Sequence, residues 1–136
     1  MGDLGIFDIA GSALAAQSTR LNTVASNLAN VNDVSGDPAT VYKPREVMFS
    51  AQTTGEPGRG LAGVRTDGVV EQNTPPVKRY EPGNPLADGQ GYVYAPDIDP
   101  VAQMVNMISS ARAYQDNVEV LNTAKELALS TLNLGN

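Results

Sequence analysis

Neither cysteine nor histidine occurs anywhere in this chain of 136 residues. That excludes disulfides, thiolate and imidazole metal sites, Ser–His and Cys–His nucleophile pairs and histidine acid–base chemistry together. Positive charge is scarce too: nine Lys and Arg stand against fifteen Asp and Glu, a formal net charge of −6. A nucleic-acid binder needs a basic face to displace counterions from phosphates, so DNA and RNA are not expected partners. No apolar run approaches the roughly 18–20 residues that span a bilayer, and the N-terminus carries neither the basic nor the apolar region of a cleaved signal. The expectation is a chain with no transmembrane segment that, if exported, leaves without a cleaved signal peptide.

Proline and glycine are missing from particular places. All nine prolines lie between Pro38 and Pro100, and no glycine occurs from Ser12 to Ser35 or from Tyr92 to Leu134. Both residues interrupt helices. The predicted fold is therefore mainly α. A helix over residues 1–33 and another over 97–136 pack as an antiparallel coiled-coil hairpin around an extended, small β-rich segment over 34–96. At about 1.5 Å per residue the helices reach ~40 and ~50 Å.

What is present supports that division. Phe7, Ala10, Leu14, Gln17, Leu21, Val24, Leu28 and Val31 recur at alternating spacings of three and four, a narrow heptad seam. Asp99 followed by Pro100 is a helix start, a carboxylate cap with proline at the first helical position. From there Met107, Ala111, Tyr114, Val118, Leu121, Lys125, Ala128 and Leu132 form one stripe, and Val120, Ala124, Leu127 and Leu134 a second. Between the helices the β-favouring runs are Val47–Phe49, Val64–Glu71 and Tyr92–Tyr94. "VRTDGVVE", residues 64–71, reads either as a hairpin turning at Asp67-Gly68 or as one strand with a bulge at Gly68.

One scarcity bears on function. Between Ser12 and Asp33 the only charged side chain is Arg20. The flanks of the first seam carry Ala13, Ser18, Ala25 and Asn27 where a solvated coiled coil would carry Glu and Lys. Ordering two long helices costs more entropy than one seam returns, so an isolated pair is marginal. Other copies or related proteins are expected to cover the outer face.

"SALAAQSTRLNTVASNLANVND", residues 12–33, resembles the N-terminal signature of the bacterial flagellar basal-body rod family. "DGQGYVYAPDIDPVAQMVNMISSARAYQDNVEVLNTAKELALSTLNLG", residues 88–135, is similar to the C-terminal region of its C-type proximal rod members. Asp33 stands where the signature usually has Thr. The resemblance implies a structural subunit of the proximal rod, the drive shaft that passes motor torque to the hook and forms part of the export channel wall. It implies a periplasm-spanning location in the basal body, passage through the flagellar type III export apparatus, and no cofactor. The implied partners are copies of the chain itself, sister rod proteins and basal-body proteins at the membrane end. Carried over by residue, Leu14, Leu21, Val24, Leu28 and Val31 would pack against the C-terminal helix through Val118 and Leu121. Asn27, Asn30 and Asn32 would make polar contacts between subunits, with simple helix capping as the alternative for Asn30 and Asn32. A helical adaptor or chaperone-like module of the export system is the alternative function.

Other motifs are weaker. "GRGLAG", residues 58–63, fits a dinucleotide-binding pattern but is followed by a strand-like run where that pattern needs a helix. Asp97 and Asp99 form the one pair of neighbouring carboxylates, expected to act as loop and cap rather than as metal ligands or catalytic acids. Lys43 with Arg45, and Lys78 with Arg79, read as basic spots on solvated loops, with contact to acidic sister subunits as the alternative. Tyr114 and Lys125 read as packing on the helical stripe. Nothing in this set makes an enzyme, so no catalytic, cofactor or metal residue is expected.

Overall fold

The computed structural model describes residues 2–54 and 60–135. Helix α1, Gly2–Ala29, runs unbroken through Gly11, whose Cβ position faces open space. Ser12 is therefore an interior helical residue. At the far end the Asn30 N–H donates to the carbonyls of Ser26 and Asn27 at 3.2 and 3.3 Å, and the Asp33 N–H to Asn30 at 3.1 Å. These tight turns consume the last free carbonyls and release the chain into the loop.

Two small antiparallel sheets follow. Strands β1, Arg45–Thr54, and β2, Leu61–Glu71, make a long ribbon in which Arg45 faces Glu71. Met48 faces Gly68 but Phe49 faces Thr66, so Asp67 is the extra residue of a bulge. Gly68 takes φ +142°, a conformation side chains disfavour. The second reading of "VRTDGVVE", one strand with a bulge, is the correct one. Of "GRGLAG", Gly58 and Arg59 lie outside the described residues, while Leu61 to Gly63 are in β2 and open no helix.

Strands β3, Val77–Tyr80, and β4, Tyr92–Ala95, form the second sheet. Lys78 and Arg79 are thus strand residues, not loop. Lys78 extends over the Tyr92 ring with Nζ 3.9 Å from its centroid. On its other edge β4 exchanges two bonds with Ser35, at 2.9 and 2.8 Å, which ties the loop after α1 to this sheet. Val41, Val93 and Ala95, with Pro44 and Pro96, are the buried apolar residues among those described in this middle region.

Helix α2, Pro100–Leu134, starts at the expected signal. The Asp99 carboxylate accepts from the N–H groups of Val101 and Ala102 at 2.9 and 3.3 Å. Its direction against α1 is antiparallel. Asn27 near the end of α1 meets Gln103 near the start of α2, and Ile6 shares a surface hollow with Val120, Ala124 and Leu127. The accessible surface is 9192 Å², whereas a compact 14.3 kDa monomer would expose about 6,800 Å². The excess is the signature of a chain that leaves its elements half-covered.

Candidate assembly surfaces

The seam between the helices is built from small and amide side chains. On α1 the buried positions are Ala10, Ala16, Thr23, Val24 and Asn27; on α2 they are Ser110 and Ala124. The less exposed line of α2 runs through Gln103, Asn106, Ser110, Ala113, Asn117, Leu121, Ala124 and Ala128. This is one step around the helix from the stripe drawn through the larger apolar residues. Ser110 is 0 % exposed, and its hydroxyl meets no hydrogen-bond partner among the described residues; neither does the buried amide oxygen of Gln17 on α1. Two orphaned polar atoms in a seam with little large aliphatic packing make a weak joint.

The residues expected to build that seam divide between it and the surface. Leu14, Leu21, Leu28 and Val31 are half-buried and Val24 is buried. Leu121 is half-buried on the facing line, whereas Val118 is 37 % exposed at its margin. Tyr114 is exposed to a similar degree, and Lys125 and Leu132 point outwards.

Where α1 ends, one side chain organises the junction. Asn27, 3 % exposed, accepts from the Arg45 N–H at 2.9 Å and donates to the Arg45 carbonyl at 2.8 Å. The Tyr42 hydroxyl also donates to it at 2.9 Å, with Ser26 completing the chain of bonds at 3.0 Å. A carboxamide offers a donor and an acceptor side by side, as a peptide group does, so Asn27 stands in for a neighbouring strand at the start of β1. Expected to reach another subunit, Asn27 is instead turned inwards with its amide committed within the chain. Asn30 donates from its amide to Ser26 at 2.8 Å, a local helix-end bond, and Asn32 is exposed.

Ser12 anchors the other side of the ribbon. Its hydroxyl donates to Ile9 at 2.7 Å and accepts the Val64 N–H at 3.1 Å. One helix thus touches the edge of β1 at Asn27 and the edge of β2 at Ser12. A cleft of about 380 Å³ remains between α1, β1 and the start of α2, lined by Arg20, Arg45, Asp97 and Asp99 among others. Asp99 is already committed to its helix cap.

Acidic groups elsewhere serve turns. The Asp88 carboxyl is held below its usual range, first by the Tyr92 N–H and also by that of Gln90, both bonded at 2.9 Å. Asp67 in the bulge is lowered by the Ser50 hydroxyl and by Arg65, paired with it at 2.8 Å.

The outward surfaces are what the chain leaves unused. From residue 11 to the end of α1 every exposed position is Gly11, Ala15, Ser18, Asn22, Ala25 or Ala29, and Asn32 follows in the turn beyond it, none charged and none larger than asparagine. On α2, Val101, Met104, Val105 and Ile108 project from the first turns with half or more of each residue exposed. No helix of the described residues is long and apolar enough to cross a membrane. Contiguous exposed apolar side chains of this kind mark interaction surfaces.

The two helical ends also decide the family. A family profile described as "Flagella basal body rod protein" matches residues 7–36, and one described as "Flagellar basal body rod FlgEFG protein C-terminal" matches residues 90–134. The chain is 53 % identical over 135 residues to the flagellar basal-body rod protein FlgC of Salmonella typhimurium, covering 99 % of both chains. The chain belongs to the flagellar basal-body rod protein family. It is likewise 53 % identical to FlgC of Escherichia coli O157:H7, and 34 % identical to that of Bacillus subtilis over 94 % of this chain and 95 % of the relative. In this rod-family chain the matched segments contain α1 and α2 almost entirely, together with Asn27, Asp99 and the exposed faces of both helices.

Proposed function

We propose that this FlgC-like chain is a non-catalytic building unit of the proximal rod. It packs side by side with copies of itself and with sister rod proteins, and it passes torque from motor to hook through laterally joined helices. Export through the flagellar type III apparatus, without a cleaved signal, delivers it to the periplasm, where the rod walls the export channel. The observation that carries the reading is the pair of long antiparallel helices, of which α1 exposes no charge from residue 11 to 29 and α2 exposes Val101, Met104, Val105 and Ile108 in its first turns. Load has to travel through those faces. The salt bridges among the described residues, Arg45–Glu71, Arg65–Asp67 and Arg79–Glu81, all lie in the middle region and are solvent-exposed, and such pairs contribute about 0–1 kcal/mol each. Asn32, exposed at the end of α1, is placed to bond a neighbouring subunit.

The test is incorporation. Leu21→Asp or Leu28→Asp puts a charge on a half-buried seam position, and should abolish both assembly into basal bodies and swimming. Swimming at the normal rate with either variant as sole copy would refute the reading. A density map of isolated basal bodies, traced with this chain, would place its neighbours directly.

A further inference from the structure

Charge on α2 is confined to its middle. Arg112, Asp116, Glu119, Lys125 and Glu126 are its charged residues, all exposed, and none occurs from Pro100 to Ala111 or from Leu127 to Leu134. Both uncharged ends turn apolar side chains outwards, but they differ in form. At the start Val101, Met104, Val105 and Ile108 are between 51 and 67 % exposed, and at 3.6 residues per turn they share one side of the helix. At the far end Leu127, Leu129, Leu132 and Leu134 are between 50 and 88 % exposed, with Leu127 and Leu134 on one side and Leu129 and Leu132 on the other. That end is bare because α1 does not accompany it. Asn27 lies against Gln103, and Ile6 beside Ala124, so at equal rise Gly2 comes level with about residue 128. Among the described residues, Leu129 to Leu134 therefore run on alone for about 9 Å.

We propose that in the assembled rod the last two turns of α2 lap onto the first two turns of α2 in the next rod-family chain, head to tail. The leucines of the bare end cover the aliphatic shelf made by Val101, Met104, Val105 and Ile108. The inference rests on the rod reading above, and to the side-by-side packing of helices it adds a joint along the axis. The receiving helix start belongs to a chain of the same family, because both ends of α2 lie within residues 90–134, the segment matched by a profile described for the FlgEFG rod proteins.

The forms of the two ends select this arrangement. They stand about 40 Å apart on one straight helix, so a chain cannot join its own. Start against start would cover two shelves and leave every bare end in water, and end against end would leave every shelf. Joining unlike ends covers both with one contact, which repeats in a single direction and grows an open helical assembly. Neither lapped segment holds a charge, so the joint is made by aliphatic contact and needs no ion pair. The carboxylates nearest the shelf are Asp97 and Asp99, and Asp99 is spent on the N–H groups of its own helix. The charged middle of α2 lies outside the lap.

The experiment uses isolated basal bodies in which the altered full chain is the sole copy. A photoreactive benzoylphenylalanine in place of Leu132 should, on irradiation, join this chain to the first two turns of the C-terminal helix of a rod-family chain, located by peptide mass spectrometry. The same probe in place of Glu119, in the charged middle, should not reach those turns. Leu132→Lys and Val105→Lys should each lower incorporation about tenfold or more, since each would bury a charge with no partner, whereas Leu132→Met should leave it within about twofold. Adducts from Leu132 that fall only on an N-terminal helix, on a ribbon or on a protein outside the family, no adduct at all, or full incorporation of Leu132→Lys would each overturn the joint. In all of these the chain is still found in the basal body, so the rod reading survives; absence of the unaltered chain from basal bodies would refute that reading instead.

Discussion

Asn27 holds both main-chain groups of Arg45, accepting its N–H at 2.9 Å and donating to its carbonyl at 2.8 Å across eighteen residues of sequence. The contact joins the end of α1 to the root of the ribbon, and Gln103 at 3.4 Å brings the start of α2 to the same point. Asn27→Ala should strand two peptide groups and the Tyr42 hydroxyl, destabilising the fold by about 2–4 kcal/mol. Asn27→Asp should cost a similar amount, since a carboxylate cannot donate to the Arg45 carbonyl. Denaturant unfolding gives the magnitude, and faster hydrogen exchange at the Arg45 amide locates it.

Ser110 makes the opposite prediction. Its hydroxyl is fully buried and unpartnered among the described residues, so Ser110→Ala removes a polar group that has lost water and gained nothing. The variant should be unchanged or up to about 1 kcal/mol more stable, read as a higher midpoint in denaturant. A clear loss of stability would show that the hydroxyl is bonded.

Gly36 is held by space. A Cβ there would lie 2.6 Å from the Leu86 carbonyl oxygen, a backbone atom that cannot swing aside. Gly36→Ala should push the loop after α1 away from residues 86–88 and strain the neighbouring Ser35–Tyr94 pairing. The cost should be about 1–3 kcal/mol, a fall in Tm of several degrees on a calorimetric scan.

Asp88 ties acidity to the β3–β4 turn. Its carboxyl is lowered chiefly by the Tyr92 N–H, so its folded value lies below its unfolded one. Such a group contributes stability that is fully present above the unfolded value, about 4, and is lost as pH falls through the folded value. Asp88→Asn should therefore flatten the acid limb of the Tm–pH curve below about pH 4 while leaving the neutral plateau little changed in slope.

How far these features were legible depends on whether the signal was local. Asp99-Pro100 announced α2 because a cap acts within one turn. Gly68 marked either a turn or a bulge because its backbone conformation is its own property, and the pairing of β2 with β1 decides for the bulge. The facing line of α2 was drawn one step off because periodicity was read from Tyr114, Val118 and Leu132, the large residues. This seam buries Ser110 and Ala124 instead, the choice that lets two backbones approach closely. Strand β3 was hidden by Lys78 and Arg79, whose charges suit an exposed edge as well as a loop. Asn27 was placed outwards because nothing near it in sequence reveals that Arg45 arrives from eighteen positions away.

A two-stranded ribbon ordinarily carries a hazard, since each rim can recruit a foreign strand and seed fibrils. Here a single helix posts a sentry on both rims: the carboxamide of Asn27 at Arg45, and the hydroxyl of Ser12 at Val64. The chain is thereby steered away from amyloid-like stacking at these points. Its appetite for company is left to the helices.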